Sequence, residues 1–263
     1  MKQPESEQTP GVEALYPFLY TGYSDLAAVL QEVRCSTEEK AREIMALRDW
    51  LGQEMASRLG ACAAAMARAF RAHGKLFAFG NGGSSTDAQA LAQVFLYPPG
   101  EGPDGPAPTQ SRQGPGGPKS GPTDDPISTP TPRTGTVRLS RQPLPAFALT
   151  NDVAVVTALA NDIGFDVVFA RQIAAFGRPG DIAVGLSTSG NSANVIQAFD
   201  EAARRGLLTV GFAGHQGGAM AEAASIAHLF VVPSSSVHRI QEAQTTLYHI
   251  LWELTQAALR ESA

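Results

Sequence analysis

The sequence predicts an α/β fold in which a parallel sheet is sandwiched between layers of helices. Short apolar segments, the pattern of strands buried on both faces, alternate along the chain with segments whose apolar residues recur every three or four positions, as in helices packed on one side. The chain has 263 residues, 43% of them hydrophobic, and can therefore bury a sizeable core. The strands are predicted at residues 75–79, 145–150, 181–187, 207–214 and 228–234.

Helices are predicted before, between and after these strands. Residues 24–34 have helical spacing, and the capping-box sequence Ser36-Thr37-Glu38-Glu39 predicts the start of a second helix that continues to about residue 72, before Gly74. The closing segment of the chain has the same periodicity and predicts a long final helix. The further helices are predicted at residues 87–96, 152–162, 192–206, 218–225 and 237–259.

Proline divides the chain, because 13 of the 18 prolines lie between Pro98 and Pro145, among glycine, serine and threonine. Such a composition cannot bury enough apolar surface to offset the loss of chain entropy. We therefore expect a flexible N-terminal segment at residues 1–22 and a single domain at residues 23–263, interrupted by a disordered surface insertion at residues 98–143. A linker between two unrelated domains is the alternative, but the pieces on its two sides each look incomplete alone.

Charge and composition exclude several classes of partner. The net charge of −5 gives no case for nucleic acid or an anionic membrane. There is no apolar run of about 18 residues, and residues 1–14 are polar, so we expect neither a membrane span nor a signal peptide, and a cytoplasmic protein. Cys35 and Cys62 lack the spacing of metal or redox sites, and we interpret them as buried, reduced thiols.

Two turns rich in glycine and serine directly follow predicted strands. They are residues 80–87 (GNGGSSTD) and residues 187–192 (STSGNS), and each precedes a predicted helix. Small residues let the backbone approach a ligand, and a helix N-terminus directs N–H groups and a positive dipole end at it. Neither turn matches the phosphate loop of nucleotide hydrolases or the dinucleotide fingerprint. They predict a phosphate site at the carboxyl ends of the strands, although glycine and serine could also serve only to make tight turns.

These motifs resemble the SIS (sugar isomerase) domain family, and specifically its phosphoheptose isomerase subfamily. The resemblance is carried by GNGGSSTDAQ, by LTNDVAVVTALANDIGFDVVFARQI, by STSGNSANVIQAFDEAARRG and by RIQEAQTTLYHIL, over about residues 24–96 and 144–259. It implies a flavodoxin-like, three-layer α/β/α sandwich and a tetramer that binds sugar phosphate between subunits. The implied substrate and phosphate contacts are Asn81, Ser84, Asp152, Ser187, Thr188, Ser189, Ser192 and Gln241.

The resemblance breaks at the residues that would carry the chemistry. In the family, a histidine and a glutamate four residues apart supply metal binding and the catalytic base on the helix after GNGGS. Ala90 and Val94 stand at those positions here. Gln241 and His249 match two residual metal positions, fewer than the three ligands usual in catalytic zinc sites, so we predict neither zinc nor another cofactor. By the resemblance, His249 would act as acid and base, and Glu242 is the one carboxylate that survives near the pocket.

Three hypotheses remain open from the sequence. The first is an isomerase that acts on sedoheptulose 7-phosphate through an enediolate, with His249 moving protons and Glu242 or a neighbouring subunit replacing the lost base. The second is a non-catalytic phosphosugar-binding protein with a regulatory or scaffolding role. The third is a hetero-oligomer in which this chain supplies the phosphate contacts and His249 while a paralogue supplies the base. The structural alternatives are a helix-interface role for His249 and an ion pair of Glu242 with Arg239 or Arg171.

Overall fold

The computed structural model describes residues 26–97 and 141–261. The predicted flexible segment at residues 1–22 lies outside the described residues, as does the predicted insertion except for its last three residues. The described residues fall into two compact units that divide between Leu47 and Arg48, and the described strands belong to the second. Within the described ranges, no helix combines the length and apolarity needed to cross a lipid bilayer.

The sheet has five parallel strands in the order β2-β1-β3-β4-β5. All five predicted strands are confirmed, most of them shorter by one or two residues, and the order is that of flavodoxin-like folds. The chain leaves β1 toward β2 on one side and returns to β3 on the other, so the carboxyl ends of β1 and β3 flank the reversal of strand order. The strands are β1 (Leu76–Gly80), β2 (Ala146–Ala148), β3 (Ile182–Ser187), β4 (Leu208–Gly214) and β5 (His228–Val232).

Seven α-helices occur among the described residues. Most of the predicted helices are confirmed within a few residues. α5 is an additional short helix that overlaps the end of the motif LTNDVAVVTALANDIGFDVVFARQI. The helices are α1 (Leu26–Glu54), α2 (Ala56–Arg71), α3 (Gly83–Leu96), α4 (Val153–Asp162), α5 (Val168–Phe176), α6 (Ala193–Arg204) and α7 (Val237–Glu261).

The predicted helix start at Ser36 is wrong, because α1 passes through it without a break. The Thr37 hydroxyl donates to the carbonyl of Val33 at 2.7 Å, one turn earlier in the same helix. A threonine that bonds back to the helix cannot cap a new one. The chain instead breaks at Met55, between α1 and α2.

The predicted helix at residues 218–225 is also wrong. Only a single 3₁₀ turn forms, at Gly218–Ala221, and Gly217 and Gly218 both have positive φ angles. A left-handed conformation at consecutive residues is incompatible with an α-helix start. This turn packs on the functional site described below.

Aromatic side chains join the sheet to two of its helices. Phe79 on β1 packs against Phe169 of α5 and Phe199 of α6 within one core cluster, with ring centroids 5.5 and 5.3 Å apart. Cys62 is buried as predicted, and burial raises its pKa to about 12, so its thiol stays protonated. Cys35, however, is exposed on α1, and the prediction of burial is wrong there.

The three described residues of the predicted insertion are held by α7. The backbone N–H of Gln142 donates to Oε1 of Gln256 at 3.1 Å, and Nε2 of Gln256 donates to the carbonyl of Gln142 at 2.8 Å. The Arg141 guanidinium lies over the Trp252 ring, 4.7 Å from its centroid. These contacts show that residues 141 and 142, which were predicted to belong to the disordered insertion, pack on the domain.

Candidate phosphosugar site

Two loops meet at the carboxyl ends of the neighbouring strands β1 and β3. Gly80, the last residue of β1, pairs with Leu186 of β3, so the loops that follow start side by side. Asn81 in the first loop and Asn194 in α6 exchange two hydrogen bonds: Nδ2 of each donates to Oδ1 of the other, at 2.8 and 2.9 Å. This reciprocal amide pair fixes the two loops relative to each other. Open α/β sheets bind ligands at such a reversal of strand order.

The second loop gathers three hydroxyl groups at the start of α6. Ser187 Oγ lies 3.1 Å from Ser192 Oγ and 3.5 Å from Ser189 Oγ. Ser187 Oγ also accepts from the N–H of Gly190 at 3.1 Å, which orders the loop from within. Hydroxyls that converge beside the positive end of a helix dipole can donate to a phosphate without a cationic side chain. Thr188, between them, is half-buried.

A neighbouring segment holds this serine loop in place. The N–H groups of Met220 and Ala219 donate to the Gly190 carbonyl at 2.9 Å and to Asn191 Oδ1 at 2.8 Å. Gly190 has a φ of 69°, and a Cβ there would lie 2.0 Å from the carbonyl oxygen of Gly217. This support was not predicted, because residues 218–225 were assigned to a helix. The adjacent glycines at 217 and 218 were the available signal.

The first loop is covered by α7. Ser84, 4% exposed, lies in the first turn of α3, where its N–H donates to the Asn81 carbonyl at 2.9 Å. A Cβ on Gly83 would lie 2.2 Å from Nε2 of Gln241, so the Gln241 amide lies directly against this glycine. Nε2 of Gln241 donates to Oδ2 of Asp87 at 3.4 Å. The structure thus brings Gln241, one of the predicted substrate contacts, to the first loop.

Asp87 is a residue of this site that the sequence analysis did not single out. Burial raises its pKa, while the hydrogen bond from Gln241 acts in the opposite direction. Burial likewise raises the pKa of Tyr248, where the hydrogen bond with Thr245 opposes the shift and the charge of Asp87 adds to it. The ring of Tyr248 stacks on that of His249, with centroids 5.1 Å apart. Asp87 therefore lies in one neighbourhood with the α7 residues of the site.

Two of the predicted site residues, Glu242 and Asp152, have partners on their own helices. Glu242 accepts a hydrogen bond from Nη1 of Arg239, the ion pair that the sequence analysis named as the alternative to catalysis. Asp152 is exposed and caps α4, where its Oδ1 accepts from the N–H of Val155 at 3.1 Å. Asp152 also lines a cleft beside β2, together with Gln89 on α3. His249 remains half-buried on α7.

The family of this chain is shown by its similarity in sequence and structure to known proteins. The family model of the SIS domain matches residues 131–214. The phosphoheptose isomerase of Aquifex aeolicus is 34% identical over 89% of this chain and 99% of the relative, and that of Roseiflexus sp. is 35% identical over 89% and 94%. The chain belongs to the phosphoheptose isomerase family. The structure of phosphoheptose isomerase from Neisseria gonorrhoeae agrees, with a TM-score of 0.66 at 28% identity over 86% of this chain and 99% of that one.

The resemblance to phosphoheptose isomerases implied a metal site. The residues at the corresponding positions of this chain do not fit a metal ion. Ala90 and Val94 carry no donor atoms, and the amide nitrogen of Gln241 is turned toward Asp87. Among the residues that the structure describes, no group of three or more His, Cys, Asp or Glu side chains could hold a metal ion. Gln241 and His249 alone fall short of a catalytic zinc site.

Proposed function

We propose that this chain binds a sugar phosphate such as sedoheptulose 7-phosphate, with the phosphate on the serine loop and on Ser84, and the sugar directed toward α7. The convergence of three serine hydroxyls at the N-terminus of α6 carries this proposal. The reciprocal pair of Asn81 and Asn194 supports it, because a preorganised loop loses little entropy when it binds. The relatives named phosphoheptose isomerase support the class of ligand.

Calorimetry tests the binding directly. The protein is titrated with sedoheptulose 7-phosphate and, in parallel, with unphosphorylated sedoheptulose. We expect a defined dissociation constant for the phosphate ester and no measurable heat from the free sugar, because the site recognises the phosphate first. Equal binding of both sugars, or of neither, would contradict the assignment of the serine loop.

We propose further that the bound ketose is isomerised to the aldose through an enediolate. A base removes a proton from C1, the electron pair forms the C1–C2 double bond, and a proton returns to C2 while O1 loses and O2 gains one. In this proposal the imidazole of His249 moves the protons. The base is Glu242, once released from Arg239, or a group from a neighbouring subunit.

A second candidate function is binding without catalysis, in a regulatory or scaffolding protein. Ala90 and Val94 favour it, because the loss of a general base costs on the order of 10²–10⁴ in rate. The serine loop would be retained unchanged in such a protein. A partner chain that supplies the base is the remaining alternative.

The surface of α4 supports a homotetramer, or a hetero-oligomer with a paralogue. Of the ten residues of this helix (VAVVTALAND), all of them described, none is buried within the chain. A helix that is apolar over most of its surface is normally covered. Val153 is 68% exposed, and Phe165, just beyond the helix, is 52% exposed.

Light scattering after size exclusion checks this assembly. We expect a tetramer for the parent chain and a smaller species for Val153→Lys, because a charge would be buried in the interface. Val237→Lys is the matched control, since Val237 is 46% exposed but lies on α7. A parent chain that elutes as a clean monomer would contradict the proposal.

A further inference from the structure

One face of α3 is directed at α7. Gly83 and Asp87, one turn apart on this helix, both approach Gln241 of α7. Steps of three and four residues place Ala90 and Val94 on the same face. Asp87 is the one ionisable residue in the whole of α3 (GSSTDAQALAQVFL), and it is therefore the only charge that this helix offers to the site.

The carboxylate of Asp87 has unused capacity for hydrogen bonds. Gln241 engages only Oδ2, through a long contact of 3.4 Å, whereas a carboxylate can accept about four hydrogen bonds. Asp87 is also three residues from Ser84, and side chains at that spacing are neighbours on a helix. A ligand whose phosphate lies on Ser84 and the serine loop would therefore carry its hydroxyl groups past Asp87.

We propose that Asp87 binds the hydroxyl groups of the sugar and that it does so without a metal ion. The inference rests on the proposed function, since it deepens the description of the same site. Hydroxyl groups of the open-chain sugar donate to Asp87, while Gln241 holds the carboxylate in position through Nε2. The site thereby distinguishes a polyhydroxylated phosphate ester from inorganic phosphate, which has no such groups to offer.

Asp87→Asn tests the role of the carboxylate in the full-length chain. Calorimetry compares the affinities of parent and variant for sedoheptulose 7-phosphate and for inorganic phosphate. We expect the sugar phosphate to bind about tenfold to hundredfold more weakly to the variant and phosphate to bind equally, because hydrogen bonds to charged groups are strong. Asp200→Asn, an exposed position on α6, is the matched control and should change neither affinity.

The outcomes separate this inference from the function on which it rests. If both ligands bind to the variant as they do to the parent, Asp87 has no part in recognition and the inference is overturned while the phosphate site stands. If neither ligand binds to the parent, both fail. If the variant loses phosphate binding as well, Asp87 supports the fold of the loop rather than the sugar, which also overturns the inference.

A separate experiment tests whether the binding of the sugar phosphate is independent of a metal ion. The parent chain, dialysed against zinc and then against buffer, should contain almost no zinc by elemental analysis, and EDTA should leave the affinity for sedoheptulose 7-phosphate unchanged. The double variant Ala90→His with Val94→Glu adds an imidazole and a carboxylate to the face that carries Asp87, and we expect it to retain about one zinc ion per chain. Stoichiometric zinc in the parent, or loss of its binding with EDTA, would overturn the proposal.

Discussion

Gly190→Ala is expected to abolish sugar-phosphate binding and to lower the free energy of unfolding by about 2–5 kcal/mol. The residue has a φ of 69°, which alanine adopts only with strain, and its Cβ would lie 2.0 Å from the carbonyl oxygen of Gly217. Both obstacles are backbone features that no side-chain rotation relieves. The serine loop would have to move away from its support. Urea unfolding measures the loss of stability, and calorimetry with sedoheptulose 7-phosphate measures the loss of binding.

Gly206→Ala is the control that separates the strain of a positive φ angle from the steric clash at Gly190. Gly206 also has a positive φ, of 76°, but the nearest atom to its Cβ would be Cβ of Pro179 at 3.6 Å, an ordinary contact. We expect this variant to lose about 1–2 kcal/mol of stability and to bind the sugar phosphate like the parent. If Gly190→Ala were no more harmful than Gly206→Ala, the close packing of the serine loop on Gly217 would be the wrong explanation.

Ser189→Ala combined with Ser192→Ala is expected to raise the dissociation constant for sedoheptulose 7-phosphate by about a hundredfold or more. Each hydroxyl would donate to a charged phosphate, and such a bond contributes roughly 1.5–3 kcal/mol. Ser187 is left intact because it is buried and accepts from Gly190, so that its loss would disturb the loop itself. Calorimetry gives the dissociation constant, and thermal unfolding shows whether the variant is folded.

Thr37→Ala is the matched control for this double variant. Its hydroxyl donates to a helix carbonyl on α1 and has no part in the proposed site. We expect the control to bind as the parent does. An unchanged dissociation constant in the serine variant as well would remove the phosphate from this loop.

The sequence was most informative where the pattern is local. The strands are short apolar runs, so periodicity found all five, and the glycine- and serine-rich loops were found because they directly follow β1 and β3. Local signals gave wrong predictions where a different local interaction competes with the start of a helix. Thr37 bonds back into α1 instead of capping a helix, and Gly217 begins a 3₁₀ turn instead of an α-helix.

The contacts that assemble the site could not be predicted from the sequence. Asn81 and Asn194 are 113 residues apart, and Asp87 and Gln241 are 154 residues apart. No periodicity relates residues at such distances, and only the sheet order brings them together. The partner of Glu242 is local, since Arg239 is three residues away on the same helix. There the sequence could name the ion pair but could not decide between pairing and catalysis.

The engagement of Glu242 matters for the proposed reaction. Glu242 is held by the Arg239 guanidinium, and it must break this ion pair before its carboxylate can reach a substrate. Asp87 contributes hydrogen bonds rather than this proton transfer in our account. His249 therefore carries most of the proposed proton movement, and His249→Gln is the variant that isolates it.

Proton exchange tests the central claim, that this chain forms an enediolate on a sugar phosphate, most directly. The protein is mixed with sedoheptulose 7-phosphate in heavy water, with EDTA or with zinc, and NMR follows the entry of deuterium at C1. Exchange reports the enediolate even where net conversion to the aldose is small. We predict that deuterium enters in the presence of EDTA and that His249→Gln abolishes the exchange. Ligand signals that broaden on binding without any entry of deuterium would contradict the claim and would leave a phosphosugar-binding protein.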